Sequence, residues 1–230
     1  MGELTRNFDW TQTSVGSPDK WPKSLQTTVS NILRSRFPMF LWWGAEMIQF
    51  YNDAYRPSLG NNGKHPKALG AKGKECWPEI WDIISPLHKQ VETTGEATWM
   101  EDQLVPIFRN GKIEDVYWTF SYSSVLNDEG THGGILVTCM ETTVAVKASK
   151  ETDQNIQELL RLFEESPVAI ATIKGKDDLV FQTANAFYGT LVGRKPKDII
   201  GKPLLEALPE LKDQGFDIIL KEVYATGKPF

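Results

Sequence analysis

The sequence predicts an α+β protein built on an antiparallel sheet, and three observations carry that prediction. Val116, Trp118, Phe120 and Tyr122 alternate with Tyr117, Thr119, Ser121 and Ser123, the period of a strand with one buried face. Two short apolar runs, a band of Gly-, Pro-, Lys- and Asn-rich pieces and then three β-rich runs follow one another. Strands and helices are therefore segregated rather than alternating, the order of an antiparallel α+β domain. After a stretch without Gly or Pro at 144–165, the same order begins again.

The elements can be justified in turn. Residues 8–21 are loop-like, with Gly16, Ser17, Pro18 and Asp19 as turn formers; Pro22 then opens a helix at about 21–36, with Leu25, Val29, Ile32 and Leu33 at helical spacing. The apolar runs 40–43 and 47–51 are separated by Gly44-Ala45-Glu46, short enough for a hairpin. Residues 52–94 read as small helices. The β-rich runs 98–108, 113–126 and 133–142 are divided by turns at Asn110-Gly111 and Asp128-Glu129-Gly130. Residues 144–165 form a long helix, in which Ile156, Leu159 and Phe163 make a seam suited to pairing with a second copy or to lying on its own domain.

Composition excludes several function classes. With 30 acidic and 25 strongly basic residues the net charge is −5, and there is no long Lys/Arg run, so nucleic acid is not an expected partner. Met1 to Arg6 holds no apolar signal core, and the longest strongly apolar run, 39–43, is too short to cross a bilayer. Cys76 and Cys139 lie in no CxxC motif and read as reduced packing residues, so the expectation is a cytoplasmic chain without a membrane segment. Seven of the eight tryptophans precede Trp118 and none follows it, which suggests two units of different character.

The repeat is the most informative feature. Asn52, Tyr55 and Gly60 answer to Asn185, Tyr188 and Gly193 at one offset of 133, and Leu69-Gly70, Pro78-Glu79-Ile80 and Thr94-Gly95 answer to Ile200-Gly201, Pro209-Glu210-Leu211 and Thr226-Gly227 at 131 or 132. In combination these residues resemble a pair of tandem PAS sensor domains from the N-terminal part of a bacterial sensor histidine kinase. Ser166-Pro167-Val168-Ala169-Ile170 resembles the opening strand of such a domain, and Phe181 with Ala184-Asn185-Ala186-Phe187 its second strand running into a first short helix. Phe37-Pro38-Met39, Tyr51-Asn52-Asp53-Ala54-Tyr55 and Leu69-Gly70 play the same parts in the first copy, and Glu141-Thr142-Thr143 resembles its acid-and-threonine ending. The resemblance implies a PAS fold, a five-stranded antiparallel sheet with short helices on one face. The divisions expected are an N-terminal helical extension (1–36), a first copy (37–143), a linker helix (144–165) and a second copy (166–230) lacking most of its sheet.

Asn52 and Asn185 each follow a strand and suit helix caps, since an Asn side-chain oxygen accepts from the amides that begin a helix. Glu141 and Thr142 lie where sheet gives way to linker helix, a place from which a movement of the domain can be felt as tilt or rotation. Tyr51, Tyr55, Trp77, Trp81, Trp118, Phe120 and Tyr122 are candidates to line a small-molecule pocket, although filling the core is the blander and favoured role. The carboxylate pairs Glu101-Asp102 and Glu114-Asp115 point to opposite faces if on strands. His65, His88 and His132 lack ligand spacing, so neither catalysis nor a metal is expected. No flavin-adduct or haem motif is present, and the ligand is left unknown.

The expected function is sensory input: a small-molecule cue or partner is bound, and the change passes through the linker helix to a kinase transmitter in cis that this chain lacks. A homodimer through that helix or the sheet is expected. The alternatives are a ligand-free PAS-type dimerisation module, or a Trp-rich metabolite- or carbohydrate-binding module that would expose Trp42, Trp43 or Trp99.

Overall fold

Apolar residues at helical spacing build the first long helix of the computed structural model, which describes all 230 residues. A short helix, Gly2–Asn7 (α1), and a 3-10 turn at Trp10–Gln12 precede it; the helix itself is Lys23–Arg34 (α2), with Leu25, Val29 and Ile32 on its buried side. It is two residues shorter at each end than the periodicity suggests, because Pro22 and Ser35 have extended backbone. Its first amides, Lys23 N and Ser24 N, donate to the Asp128 carboxylate at 2.8 Å each, a cap supplied by a distant turn.

The expected hairpin is Met39–Trp43 (β1) with Ile48–Tyr51 (β2), Leu41 opposite Phe50 and Trp42 opposite Gln49. A 3-10 turn at Arg56–Leu59, a short helix Gly73–Cys76 (α3), a second 3-10 turn and the longer Trp81–Thr94 (α4) make up the band of small helices. The three β-rich runs resolve into five strands: Met100–Leu104 (β3), Ile107–Arg109 (β4), Lys112–Glu114 (β5), Tyr117–Leu126 (β6) and His132–Glu141 (β7). Pro106 has no amide to give a ladder and separates β3 from β4. Asn110 and Gly111 both take positive φ, 54° and 79°, as a two-residue hairpin turn of the primed type requires, and β4 and β5 pair only with each other.

The main sheet is antiparallel throughout, in the order β2-β1-β7-β6-β3. Its inner face carries Phe40, Trp42, Trp118, Phe120, Tyr122, Val137 and Cys139, all buried beneath the small helices. Its outer face, at β1 and β2, is covered by α2 and the N-terminal loop: Phe50 stacks on Trp10 at 4.5 Å between ring centres and meets Trp21 edge-on at 5.4 Å. Residues before 37 thus share one core with the sheet.

The chain divides after Ala148 into two compact units, with Thr143–Glu165 (α5) as the helix that runs from one into the other. Ile156, Leu159 and Leu162 stand exposed along it. The second unit has one strand pair, Ala171–Lys174 (β8) with Val180–Ala184 (β9), and the helices Ala186–Val192 (α6), Pro196–Ile199 (α7), Leu204–Ala207 (α8) and Phe216–Thr226 (α9). Phe181, Ile199 and Leu204 are at the centre of its core. Residues 166–170, likened to an opening strand, lie before β8 instead. The Val168 carbonyl and Ile170 amide are occupied by the Asn185 side chain, and strand pairing begins only at Ala171.

Candidate functional site

Between the inner face of the main sheet and the small helices lies an apolar cavity of about 50 Å³. Five of the expected residues form its wall: Tyr55, Trp77, Trp118, Phe120 and Tyr122. The period-two alternation of β6 brings the last three to one face. Tyr51 and Trp81 are not on the wall. Tyr51, on the edge strand β2, hydrogen-bonds His65 Nδ1 through its hydroxyl at 2.8 Å, and Trp81, at the start of α4, is half-buried beside Trp42. Sequence reasoning passed over Trp42, Ile107, Val137 and Cys139, which the pairing of β1 and β7 and the small β4–β5 hairpin bring to the same wall. Alternation on β7 is a signal that could have found the last two.

The polar atoms of this wall are few and distinctive. No hydrogen bond is seen from the Tyr55 or Tyr122 hydroxyl, and burial lifts both phenols well above their ordinary pKa. Burial also pushes the Cys139 thiol up to about 12, so it stands as a neutral packing group rather than a thiolate. Behind the wall, Gln49 is fully buried, and its Oε1 accepts from both Trp42 Nε1 at 3.0 Å and Trp77 Nε1 at 2.7 Å. Its Nε2 has no partner. Lys64 lies 5.0 Å from the centre of the Trp77 ring and 3.0 Å from Glu79, which also accepts from the Phe108 amide. The rings are fixed by a framework outside the cavity, while the cavity offers two unused hydroxyls in an apolar surround.

At the other end of the β4–β5 hairpin is an ionic cluster that no local pattern announces. Arg109 donates to both oxygens of Glu141, at 2.7 and 2.9 Å, and through Nε to Glu114 at 2.9 Å. The fork-to-carboxylate geometry is the strong form of such a pair, and the Arg109 guanidinium holds the Glu141 carboxyl below the usual carboxylate range. Thr142 gives its amide to the Tyr117 carbonyl at 2.8 Å, whereas its hydroxyl is buried without a partner. It is Thr143 whose hydroxyl oxygen accepts from Tyr117 N, at 3.0 Å. The cluster ties the last residue of β7 and the first of α5 to neighbouring strands.

Asn185 caps α6, accepting from Tyr188 N at 2.9 Å. Asn52 accepts from Tyr55 N at the same distance, but a turn and the 3-10 segment Arg56–Leu59 follow it rather than an α-helix, with Pro57 in the first turn and Gly60 at φ 71° at the end. Each histidine has a neighbour within the protein: His65 on Tyr51, His88 beside Glu92, His132 on Ser124. No group of three His, Cys, Asp or Glu side chains converges as metal ligands would. Trp42 and Trp43 are buried, leaving Trp99, 66% exposed, as the one tryptophan placed as a glycan-stacking surface requires. No helix is long and apolar enough to cross a membrane.

Residues 163–230 match the family model of the PAS fold. The matched residues lie in the second unit; the five-stranded antiparallel sheet with short helices on its inner face, the α+β architecture that the sequence implied, belongs to the first. Among solved structures, the phage VqmA–DPO complex is 14% identical with TM-score 0.42, over 88% of this chain and 87% of that one. The PAS domain of BvgS from Bordetella pertussis is 16% identical with TM-score 0.39, over 58% and 97%. A sensory box sensor histidine kinase from Vibrio cholerae is 14% identical with TM-score 0.35, over 51% and 89%. No curated protein matches the chain.

Proposed function

We propose that the chain is the sensory input region of a two-component histidine kinase, built of two PAS copies joined by α5. The observation that carries this reading is the double attachment of one strand: in β4, Ile107 lines the cavity while Arg109, two residues on, clamps Glu141, the last residue of β7, two residues before α5 begins. A molecule entering the cavity displaces Ile107. The clamp then shifts with its strand, and α5 receives the shift at its first turn. Val137 and Cys139 supply a second route, since they line the cavity on the strand that ends in Glu141. In this reading α5 pairs with its counterpart in a cytoplasmic homodimer through Ile156, Leu159 and Leu162, and output comes from a transmitter elsewhere in the protein.

The cue is small and largely apolar, with a group that can accept from Tyr55 or Tyr122. A cavity of about 50 Å³ is several-fold smaller than the roughly 150 Å³ engineered cavity that admits benzene, so a ligand of drug size requires the wall to open. That size favours one other reading, a module with a filled core that works by dimerisation alone. Native mass spectrometry and absorbance of the purified full chain, combined with hydrogen exchange along α5, separate the two. The sensory reading expects a bound small molecule whose removal changes exchange at residues 143–148. An empty chain with α5 exchange indifferent to Glu141→Gln overturns it in favour of dimerisation.

A further inference from the structure

The first unit has a second concavity, on the outer side of the sheet, that sensing through the core leaves unused. It runs between α1 and α2 beside Trp21, with a volume of about 500 Å³, within the roughly 300–1,000 Å³ of small-molecule sites. Trp21, Val29 and Leu33 give it an apolar lining, and no carboxylate lines it. Arg6 and Arg34 also line it, and neither forms an ion pair; the Arg34 guanidinium touches the Ser30 hydroxyl, and the Arg6 side chain makes no hydrogen bond. Thr5, on the same lining, is 5% exposed, and its Oγ1 is buried without a partner. On a chain of net charge −5, this is a groove in which two guanidiniums without an ion-pair partner are set against apolar side chains.

From this geometry we infer that the groove binds a small amphipathic carboxylate, its head held by Arg6 and Arg34 and its apolar body laid against Trp21, Val29 and Leu33. Guanidinium forks match the two oxygens of a carboxylate, the ion-pair partner that neither arginine has within the protein. A bare inorganic anion would leave the apolar lining wet. A neutral apolar molecule would strip water from the guanidiniums and return nothing.

The test uses the full chain and octanoate as probe, with octanol, acetate and inorganic phosphate as comparison arms. Binding is followed by calorimetry and located through the amide and indole resonances of Trp21. Octanoate is expected to bind saturably and to shift Trp21, at least about tenfold more tightly than any comparison arm. The double variant Arg6→Gln/Arg34→Gln is expected to lose at least about tenfold in affinity, while Arg36→Gln, which is exposed and outside the groove, is expected to match the parent. All three positions of charge change lie at the surface or on the groove rim, so unchanged circular dichroism certifies the variants. Octanol or phosphate binding as well as octanoate, affinity unmoved by the double variant, no binding at millimolar octanoate, or shifts at Tyr122 in place of Trp21 would each overturn the assignment.

Discussion

Asn52 and Asn185, 133 positions apart, hold the chain with the same set of hydrogen bonds. Each accepts at Oδ1 from the amide three residues on, Tyr55 or Tyr188, at 2.9 Å, and from the amide of Met39 or Ile170. Each donates from Nδ2 to the carbonyl of Phe37 or Val168 and to that of Ile32 or Phe163, partners that correspond at an offset of 131. Asn52 adds the Ser35 carbonyl. Both residues are fully buried, so one amide side chain joins an incoming helix end, the approach to a strand and the turn after its partner strand.

Replacing Asn52 with Ala therefore takes the acceptor from two amides and one donor from each of three carbonyls, and equilibrium urea unfolding should show a loss of about 2–4 kcal/mol, more than one net hydrogen bond provides. Asn52→Asp is expected to be no better, because a carboxylate keeps the acceptor and turns a second oxygen toward the carbonyls. Asn185→Ala should leave the first unit intact and raise hydrogen exchange across residues 168–190. A loss under about 0.5 kcal/mol for Asn52→Ala would mean that the node is not structural.

Those two asparagines also show how far the sequence could be read. Their equal spacing from Tyr55 and Tyr188 was visible as a repeat, and the alternation from Val116 to Ser123 placed Trp118, Phe120 and Tyr122 on one face, where the cavity uses them. What could not be read depends on contacts between distant segments. Arg109 sits beside a hairpin turn like any surface arginine until pairing brings it to Glu141, 32 residues away. Asp128 looks like a turn residue, yet it caps α2. Tyr51 shares the ring chemistry of the pocket residues, whereas its position on an edge strand points its hydroxyl at His65.

The Arg109–Glu141 clamp should be sensitive to acid. Because the folded carboxyl titrates below its unfolded value, its contribution is present at neutral pH and is lost as pH falls through the folded pKa, below the ordinary Glu range. Acidification to below pH ~4 should therefore increase the protection-corrected exchange of residues 143–148 in the parent chain. Glu141→Gln should show the faster exchange already at neutral pH and respond less to acid. If the parent and variant respond alike, the clamp does not govern the start of α5.

The unpartnered hydroxyls of Tyr55 and Tyr122 make an unusual mutational expectation. Removing a buried hydroxyl that has a protein partner costs roughly 1 kcal/mol or more. Tyr122→Phe breaks no such bond and should change unfolding stability by less than about 0.5 kcal/mol, whereas Tyr51→Phe, which loses the contact with His65, should destabilise measurably. A clear loss on Tyr122→Phe in protein freshly purified from cells, absent after refolding from denaturant, would show that a retained molecule had been the missing partner.

Gln49 decides whether the cavity keeps its shape. Its one oxygen satisfies the indole N–H groups of Trp42 and Trp77, on different elements, and both rings line the cavity. Gln49→Met keeps the length and much of the volume but leaves two buried donors unpaired, so stability should fall by about 2–4 kcal/mol. Gln49→Glu separates two contributions: it preserves the acceptor and removes the unsatisfied Nε2, yet introduces a buried carboxyl. Since two indole donors can stabilise that charge only in part, Gln49→Glu should approach the parent at low pH, where the carboxyl is neutral and its carbonyl oxygen still accepts, and weaken as the pH rises. Urea midpoints of the three proteins at acidic and neutral pH test the argument. A Gln49→Met variant as stable as the parent would show that the two tryptophans are positioned by packing and not by the amide between them.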